Sequence, residues 1–283
     1  MKYEFAKLHG CGNDFVMIND MDGAIELTTQ QVEYMCDRHF GVGADGVILV
    51  KPSPRPECAA YMDYINADGT RAQMCGNGVR CFAKFLVDRG IVDPAAGRFV
   101  ADTLAGPKPI DFTVDSDGKM VQATVDMGEP ILRAAEVPTR LPETDTSWGP
   151  AVVEQLVNVG DTELAFTCVS MGNPHVITFV EDPATFPVTT VGPVVECADA
   201  FPEKTNVEFA CVDGDQITMR VWERGCGETL ACGTGSCATT VAAHITGRAP
   251  RKVQLHLLGG TLGIEWRESD NHLYLTGPAV QSF

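Results

Sequence analysis

Several features are missing or scarce in this 283-residue chain. No apolar run approaches the roughly 18 residues that a membrane-spanning helix needs, and the opening MKYEFAKLHG lacks the apolar core of a secretory signal. The expected setting is therefore the cytoplasm, with no membrane partner. Basic side chains are few: 21 Lys and Arg stand against 38 Asp and Glu, a net charge of −17. That balance argues against nucleic acid and anionic lipid as partners. It also gives no long-range attraction for an acidic substrate, so any anionic group must be captured by local dipoles and a few cations. No G-x-x-x-x-G-K-[ST] phosphate loop is present. Among the cysteines only Cys232 and Cys237 are as close as C-x4-C, and no second such pair completes a structural zinc set, so no metal is expected. The lysines are scattered, and none lies in the Gly/Ser context that would hold pyridoxal phosphate, so no cofactor is expected.

Cysteine itself is abundant. There are 11, an odd number without a secretory signal, which reads as free thiols in a reducing compartment. Two of them stand apart. Cys75-Gly76-Asn77-Gly78 and Cys232-Gly233-Thr234-Gly235 are each a cysteine followed by Gly-x-Gly. Each opens an apolar pattern of helical period: Val79, Phe82, Ala83, Leu86 and Val87 after the first, Ala238, Val241, Ala242 and Ile245 after the second. Both cysteines are thus expected at helix N-termini. Unpaired N–H groups and the positive end of the helix dipole favour an anion there, and a thiol so placed is expected to ionise more readily than usual. The glycines are expected to let backbone N–H groups approach a bound anion.

The two motifs belong to an internal repeat. Gly12-Asn13 recurs as Gly172-Asn173 at an offset of 160, Cys75-Gly76 as Cys232-Gly233 at 157, and Gly46 and Asn206 each open an apolar strand, again 160 apart. Asn66 and Glu223 each lie nine residues before their cysteine. The pattern predicts an α+β fold of two pseudo-symmetric halves. Each is a mostly antiparallel, barrel-like sheet around a central helix, with the site in the cleft between them. The first half is assigned to 1–118, with the C-terminal strand 266–283 returning to it, and the second to 119–265. Residues 127–150, with four prolines, are the candidate linker, and a loop is expected between the apolar strand after His175 and Thr205-Asn206.

Two matched thiols suggest two acid/base groups on opposite faces of one carbon. An amino-acid α-proton is very weakly acidic. One thiolate removing it and one thiol returning a proton, with helix N-termini stabilising the adjacent charge, is a cofactor-free route.

The segments KLHGCGNDF, YINADGTRAQMCGNGVRC, MGNPHVI, TNVEF and ERGCGETLACGTGSCA resemble those of the diaminopimelate epimerases, from Lys7 to at least Cys237. The resemblance implies a pyridoxal-independent isomerase, commonly a homodimer, that interconverts LL- and meso-diaminopimelate in lysine and peptidoglycan precursor synthesis. Carried over by position, it implies Cys75 and Cys232 as the two catalytic bases. Gly76-Asn77 and Gly233-Thr234 would hold the reacting carboxylate through backbone N–H groups. Asn13, Asn66, Asn173, Asn206, Glu223 and Arg224 would hold the rest of the substrate, and His175 would support one thiol.

Two positions depart from the family pattern. Gly46 stands where some members carry Gln, and with no side chain it is left out of the site. Cys226 stands where alanine is more usual, and a packing role is expected for it. The rival readings are a pyridoxal-independent racemase of another amino acid, which would not need all of those polar residues, and a thiol redox or zinc-binding protein.

Overall fold

In the computed structural model the described residues are 3–72, 75–160 and 162–283, with the side chain of Thr162 also outside the description. The class is α+β, and the chain divides into two compact units, Met1–Asp126 with Thr276–Phe283, and Met127–Leu275.

The first unit begins with a hairpin, β1 (Ala6–Gly10) and β2 (Asn13–Asn19). Gly10 faces Asn13 across a two-residue turn. Its central residues, Cys11 and Gly12, have φ of 53° and 85°, the turn whose twist suits paired strands. Helix α1 (Thr29–Cys36) opens at a Thr28–Gln31 capping box. It connects β2 to a parallel neighbour, β3 (Gly46–Lys51), with Phe15 opposite Gly46. Strand β4 (Ala60–Asn66) returns antiparallel, placing Asn66 opposite Gly46. Helix α2 (Gly76–Asp88) follows, then β5 (Arg98–Thr103), parallel to β4. The antiparallel strands β6 (Lys108–Val114) and β7 (Met120–Gly128) complete this run. Helix α2 packs on β1 to β4. It is enclosed on more sides than its apolar stripe alone predicts: Cys81 and Phe85 are buried along with Val79, Phe82, Ala83, Leu86 and Val87. Burying each large apolar side chain stabilises the unit by about 1.5–3 kcal/mol, so this helix organises the core.

The second unit repeats the order. A small hairpin, β8 (Thr144–Thr146) and β9 (Gly149–Ala151), precedes the antiparallel β10 (Gln155–Val159), β11 (Thr162–Ser170) and β12 (Pro174–Phe179). Helix α3 (Val188–Glu196) leads to β13 (Asn206–Asp213), parallel to β12 with His175 opposite Asn206. That step matches Phe15 opposite Gly46 at the offset of 160. Strands β14 (Gln216–Glu223) and β15 (Gly227–Thr229) are antiparallel to what precedes them. Helix α4 (Gly233–Ile245) packs on β11, β12, β13, β16 (Lys252–Leu257) and β17 (Gly260–Trp266). Strand β18 (Leu273–Pro278) ends the unit at Leu275, and β19 (Val280–Gln281) pairs with β1 in the first unit.

Three expectations differ from this arrangement. The units divide at 126/127 and 275/276 rather than at 118/119 and 265/266, because each division falls inside a strand, β7 or β18, where no turn residue marks it. Residues 127–150 are not a linker. They belong to the second unit, where Val137 is fully buried in its apolar cluster, and β8 pairs with β9. Helix α3 also lies where a loop is expected. Pro187, Gly192 and Pro193 read as breakers, yet Pro187 is its N-cap and Pro193 is accommodated inside it.

Gly192 is what lets α3 lie down on β14. A Cβ at this position would come within 2.6 Å of Trp222 Cβ and Cγ. Gly192→Ala is therefore expected to destabilise the protein by about 1–3 kcal/mol, as overpacking does, despite alanine's better helix propensity. Equilibrium unfolding in denaturant checks this.

Candidate functional site

In the first unit, Cys75 is the N-cap of α2, with extended backbone at φ −137° and ψ 122°. Its half-buried sulfur accepts from the Gly78 N–H at 3.5 Å and donates to Asn13 Oδ1 at 3.5 Å. Asn13 is oriented from the other side, since its Nδ2 donates to Asp45 Oδ2 at 2.6 Å. Its Oδ1 is thereby turned toward Cys75 and also accepts from Asn77 Nδ2 at 3.3 Å. Asn77 Oδ1 in turn accepts from Arg80 at 2.9 Å. Arg80 is wholly buried and also holds the Gly76 carbonyl at 2.9 Å. The side chain of Asn77 is thus committed internally. Asn66 closes β4 half-buried, with Nδ2 donating to Thr70 Oγ1 at 3.0 Å.

Asp45 is a residue that sequence reasoning missed, although it stands in the glycine-rich GVGADG before β3. It joins a charged cluster in which Arg38 bridges Asp14 (2.9 Å) and Asp45 (2.7 Å) while Lys7 pairs with Asp14 at 2.8 Å. Burial pushes Asp14 up, but its hydrogen bonds to Arg38 and Lys7 outweigh that and hold the carboxyl down at about 2.

Gly46 has a steric reason. A Cβ there would lie 2.6 Å from the Tyr64 ring and 2.7 Å from the Ile65 carbonyl, so this strand junction has no room for a substrate-contacting side chain.

In the second unit, Cys232 is the N-cap of α4, buried at 4% exposure. Its sulfur lies 3.6 Å from Thr234 Oγ1. That hydroxyl accepts from Asn173 Nδ2 at 3.3 Å, Asn173 Oδ1 meets His175 Nε2 at 3.1 Å, and His175 Nδ1 meets Glu208 Oε1 at 2.6 Å. Asn206, the first residue of β13, donates to the Pro174 carbonyl at 2.8 Å and accepts from the Arg224 N–H at 2.9 Å. Glu223, half-buried at the end of β14, accepts from the Thr229 hydroxyl. Arg224 is exposed and donates to the Glu203 carbonyl at 3.2 Å. His175, Asn173, Thr234 and Cys232 therefore form one group, with Asn206, Glu223 and Arg224 in the adjoining strand ends and turn.

The expected ease of ionisation at both helix starts is corrected for Cys232. Desolvation by burial pushes its thiol well up, and the carboxylates of Glu223 and Glu208 push it further. The Thr234 hydroxyl and the Gly235 N–H pull the other way without prevailing. A helix N-terminus lowers a thiol pKa only where its field exceeds the cost of taking the thiolate out of water.

The role expected for the second glycine of each motif also changes. A Cβ at Gly78 would lie 3.1 Å from Met62 and 3.4 Å from Ile48 and Phe15. At Gly235 it would lie 2.6 Å from Glu208 Oε1 and 3.3 Å from Cys232 Sγ. These glycines are needed for close packing of the helix start. Cys226 is exposed rather than packed. Among the described residues no three His, Cys, Asp or Glu side chains converge as a metal site would need, and no helix is long and apolar enough to cross a membrane.

The family model described as diaminopimelate epimerase matches residues 5–132 and 167–281. A diaminopimelate epimerase of Heliobacterium modesticaldum is 48% identical over 284 residues, covering 99% of this chain and 98% of its own. One of Synechococcus elongatus is 49% identical over 287 residues, covering 100% and 97%. Among solved structures, a PhzF-family phenazine biosynthesis protein of Bacillus anthracis superposes with a TM-score of 0.65 at 18% identity, covering 99% of this chain and 97% of that one. That likeness is one of fold.

The charged cluster around Asp14 makes a pH-dependent contribution. A carboxyl ordinarily near 3.9 but held at about 2 in the fold adds stability that is complete above about pH 4. This stability is lost as the pH falls through about 2. Asp14→Asn should therefore be less stable than wild type at neutral pH, and the gap should shrink on acidification across that window. Denaturation midpoints measured against pH check the sign.

Proposed function

The chain belongs to the diaminopimelate epimerase family, and we propose that it interconverts LL- and meso-diaminopimelate by two-base proton transfer at one α-carbon, Cys75 and Cys232 being the bases. The observation that carries this reading is the pair of cysteines at equivalent helix N-caps of two repeated units, with Asn13 of one Gly-Asn turn hydrogen-bonded to the Cys75 sulfur and Asn173 of the matched turn hydrogen-bonded to Thr234, whose hydroxyl lies beside the Cys232 sulfur. One sulfur, as thiolate, takes the α-proton from one face while the other, as thiol, delivers a proton to the opposite face. Either cysteine serves as base, depending on which isomer is bound.

The backbone N–H groups of Gly76-Asn77 and Gly233-Thr234 receive the α-carboxylate. Their dipoles oppose the negative charge that builds up beside the carbon as the proton leaves. Asn13, Asn66, Asn173 and Asn206 fix orientation by neutral hydrogen bonds. The distal carboxylate suits the exposed Arg224, and a substrate ammonium suits Glu223. This set favours a substrate with a second amino-acid centre over a smaller amino acid. The high thiol pKa of buried Cys232 fits the role of proton donor before the α-proton is taken. The same reading places the protein in the cytoplasm as a homodimer, without added cofactor.

Purified protein mixed with LL-diaminopimelate and no cofactor should yield the meso isomer, followed by chiral chromatography. Cys75→Ala and Cys232→Ala should each reduce turnover by about 10²–10⁴-fold or more, the contribution of a positioned acid or base. Wild-type activity in either variant would contradict the two-thiol scheme. Conversion of another amino acid in preference to diaminopimelate would contradict the substrate assignment.

A further inference from the structure

Glu208 stands in the TNVEF segment quoted above, where only Asn206 was given a role, and it is completely buried on β13. A glutamate in the apolar run Val207, Phe209, Ala210, all fully buried, costs several kcal/mol unless it is paired. Room for its carboxylate comes from Gly235, where any Cβ would lie 2.6 Å from Oε1 and 3.3 Å from the Cys232 sulfur. The carboxylate and the sulfur thus flank the same glycine of α4. Oε1 is 2.6 Å from His175 Nδ1, and Oε2 accepts no hydrogen bond from the described residues.

The His175 ring faces an oxygen at each nitrogen, Glu208 Oε1 at Nδ1 and Asn173 Oδ1 at Nε2. Burial raises the Glu208 carboxyl above its ordinary value, and the contact with His175 works against that rise. With the carboxylate ionised, the two acceptors call for two N–H donors, and an imidazole with both nitrogens protonated is the imidazolium. A contact of 2.6 Å suits a charge-assisted hydrogen bond. With Nε2–H donating to Asn173 Oδ1, the Asn173 amide directs Nδ2 at Thr234 Oγ1. Having accepted there, the Thr234 hydroxyl has its own proton to offer the Cys232 sulfur at 3.6 Å.

We propose that Glu208 is a positioning residue for Cys232: its carboxylate holds His175 as imidazolium, and this sets the direction of a hydrogen-bond chain through Asn173 and Thr234 that presents a donor to the Cys232 thiolate formed in turnover. The chain explains how a sulfur surrounded by carboxylates and out of water carries a negative charge at all. In a neutral His175 with its proton on Nδ1, Nε2 becomes an acceptor. The Asn173 amide and the Thr234 hydroxyl then reverse, and the sulfur loses its donor. This inference rests on the two-thiol reading for its consequence in turnover, but not for the state of His175.

The test uses that independence. Two-bond 1H–15N correlation spectra of the imidazole groups, taken on ligand-free protein at neutral pH and assigned with a His175→Gln variant, report which ring nitrogens carry protons. Wild type should show both His175 nitrogens protonated, and the near-isosteric Glu208→Gln should show one. Glu208→Gln should also lower kcat by about tenfold or more, within the range of a positioned acid–base group, while KM for diaminopimelate changes little. A neutral His175 in wild type would overturn the proposal, and so would a variant with wild-type kcat. If Glu208→Gln does not fold, the wild-type spectrum still decides. If the spectrum is as expected but no diaminopimelate turns over, the functional reading fails and the charge state of His175 stands.

Discussion

A cysteine that opens a helix reaches the strands beneath it only if the residue three positions later has no side chain in the way. Gly78 and Gly235 meet that condition. A single added carbon would press on Met62, Ile48 and Phe15 in one unit, and on Glu208 and the cysteine's own sulfur in the other. Much of the candidate chemistry depends on this close approach. At the first helix start the Gly78 N–H and Asn13 Oδ1 both meet the Cys75 sulfur. In the second unit the missing side chain leaves space for a buried carboxylate beside Cys232. The parallel pairing of β2 with β3 and of β12 with β13 repeats with the same register offset, so Asn13, which opens β2, and Asn173, which immediately precedes β12, hold matching places.

The two half-sites share a backbone plan and differ in electrostatics. Around Cys75 the buried charge is the guanidinium of Arg80, spent on the Gly76 carbonyl and the Asn77 amide, and the sulfur is only half-buried. Around Cys232 the buried charge is a carboxylate paired with a histidine, and the sulfur is nearly inaccessible. A two-base exchange starts with one thiolate and one thiol. Unequal surroundings suit that requirement better than a symmetric pair would, because burial and nearby carboxylates raise one of the two chemically identical thiols.

How much of this was legible in the sequence follows from where the signals lie. The repeat was readable because glycine and asparagine mark turns and cysteine marks helix starts at fixed offsets. The helices after Gly76 and Gly233 were readable from apolar period. Helix α3 was not, because Pro187, Gly192 and Pro193 have local preferences that packing against Trp222 overrides. The 127–150 region was misread because prolines signal extended chain without saying whether that chain is packed. Asp45 and Glu208 act through residues that are near in space and distant in sequence, and no spacing rule links Glu208 to His175 or Gly235. For Glu208 the sequence offered its place in the TNVEF segment and an acidic residue inside an otherwise apolar strand, neither of which names its partner. The ionisation of Cys232 was misjudged for a related reason. Helix position can be read from order along the chain, whereas desolvation depends on what folds over the sulfur.

In a two-base exchange, two different groups handle the proton on opposite faces of one carbon, and isotope labelling early in the reaction tests for this. LL-diaminopimelate with its natural α-protons is incubated with the protein in D2O, the reaction is stopped at low conversion, and substrate and product are separated for mass and proton NMR analysis. Two bases predict meso product carrying deuterium at the inverted carbon while recovered LL substrate remains unlabelled. Product that keeps its original α-proton, or substrate that gains deuterium as fast as product forms, would contradict the claim and point to a single base acting on both faces.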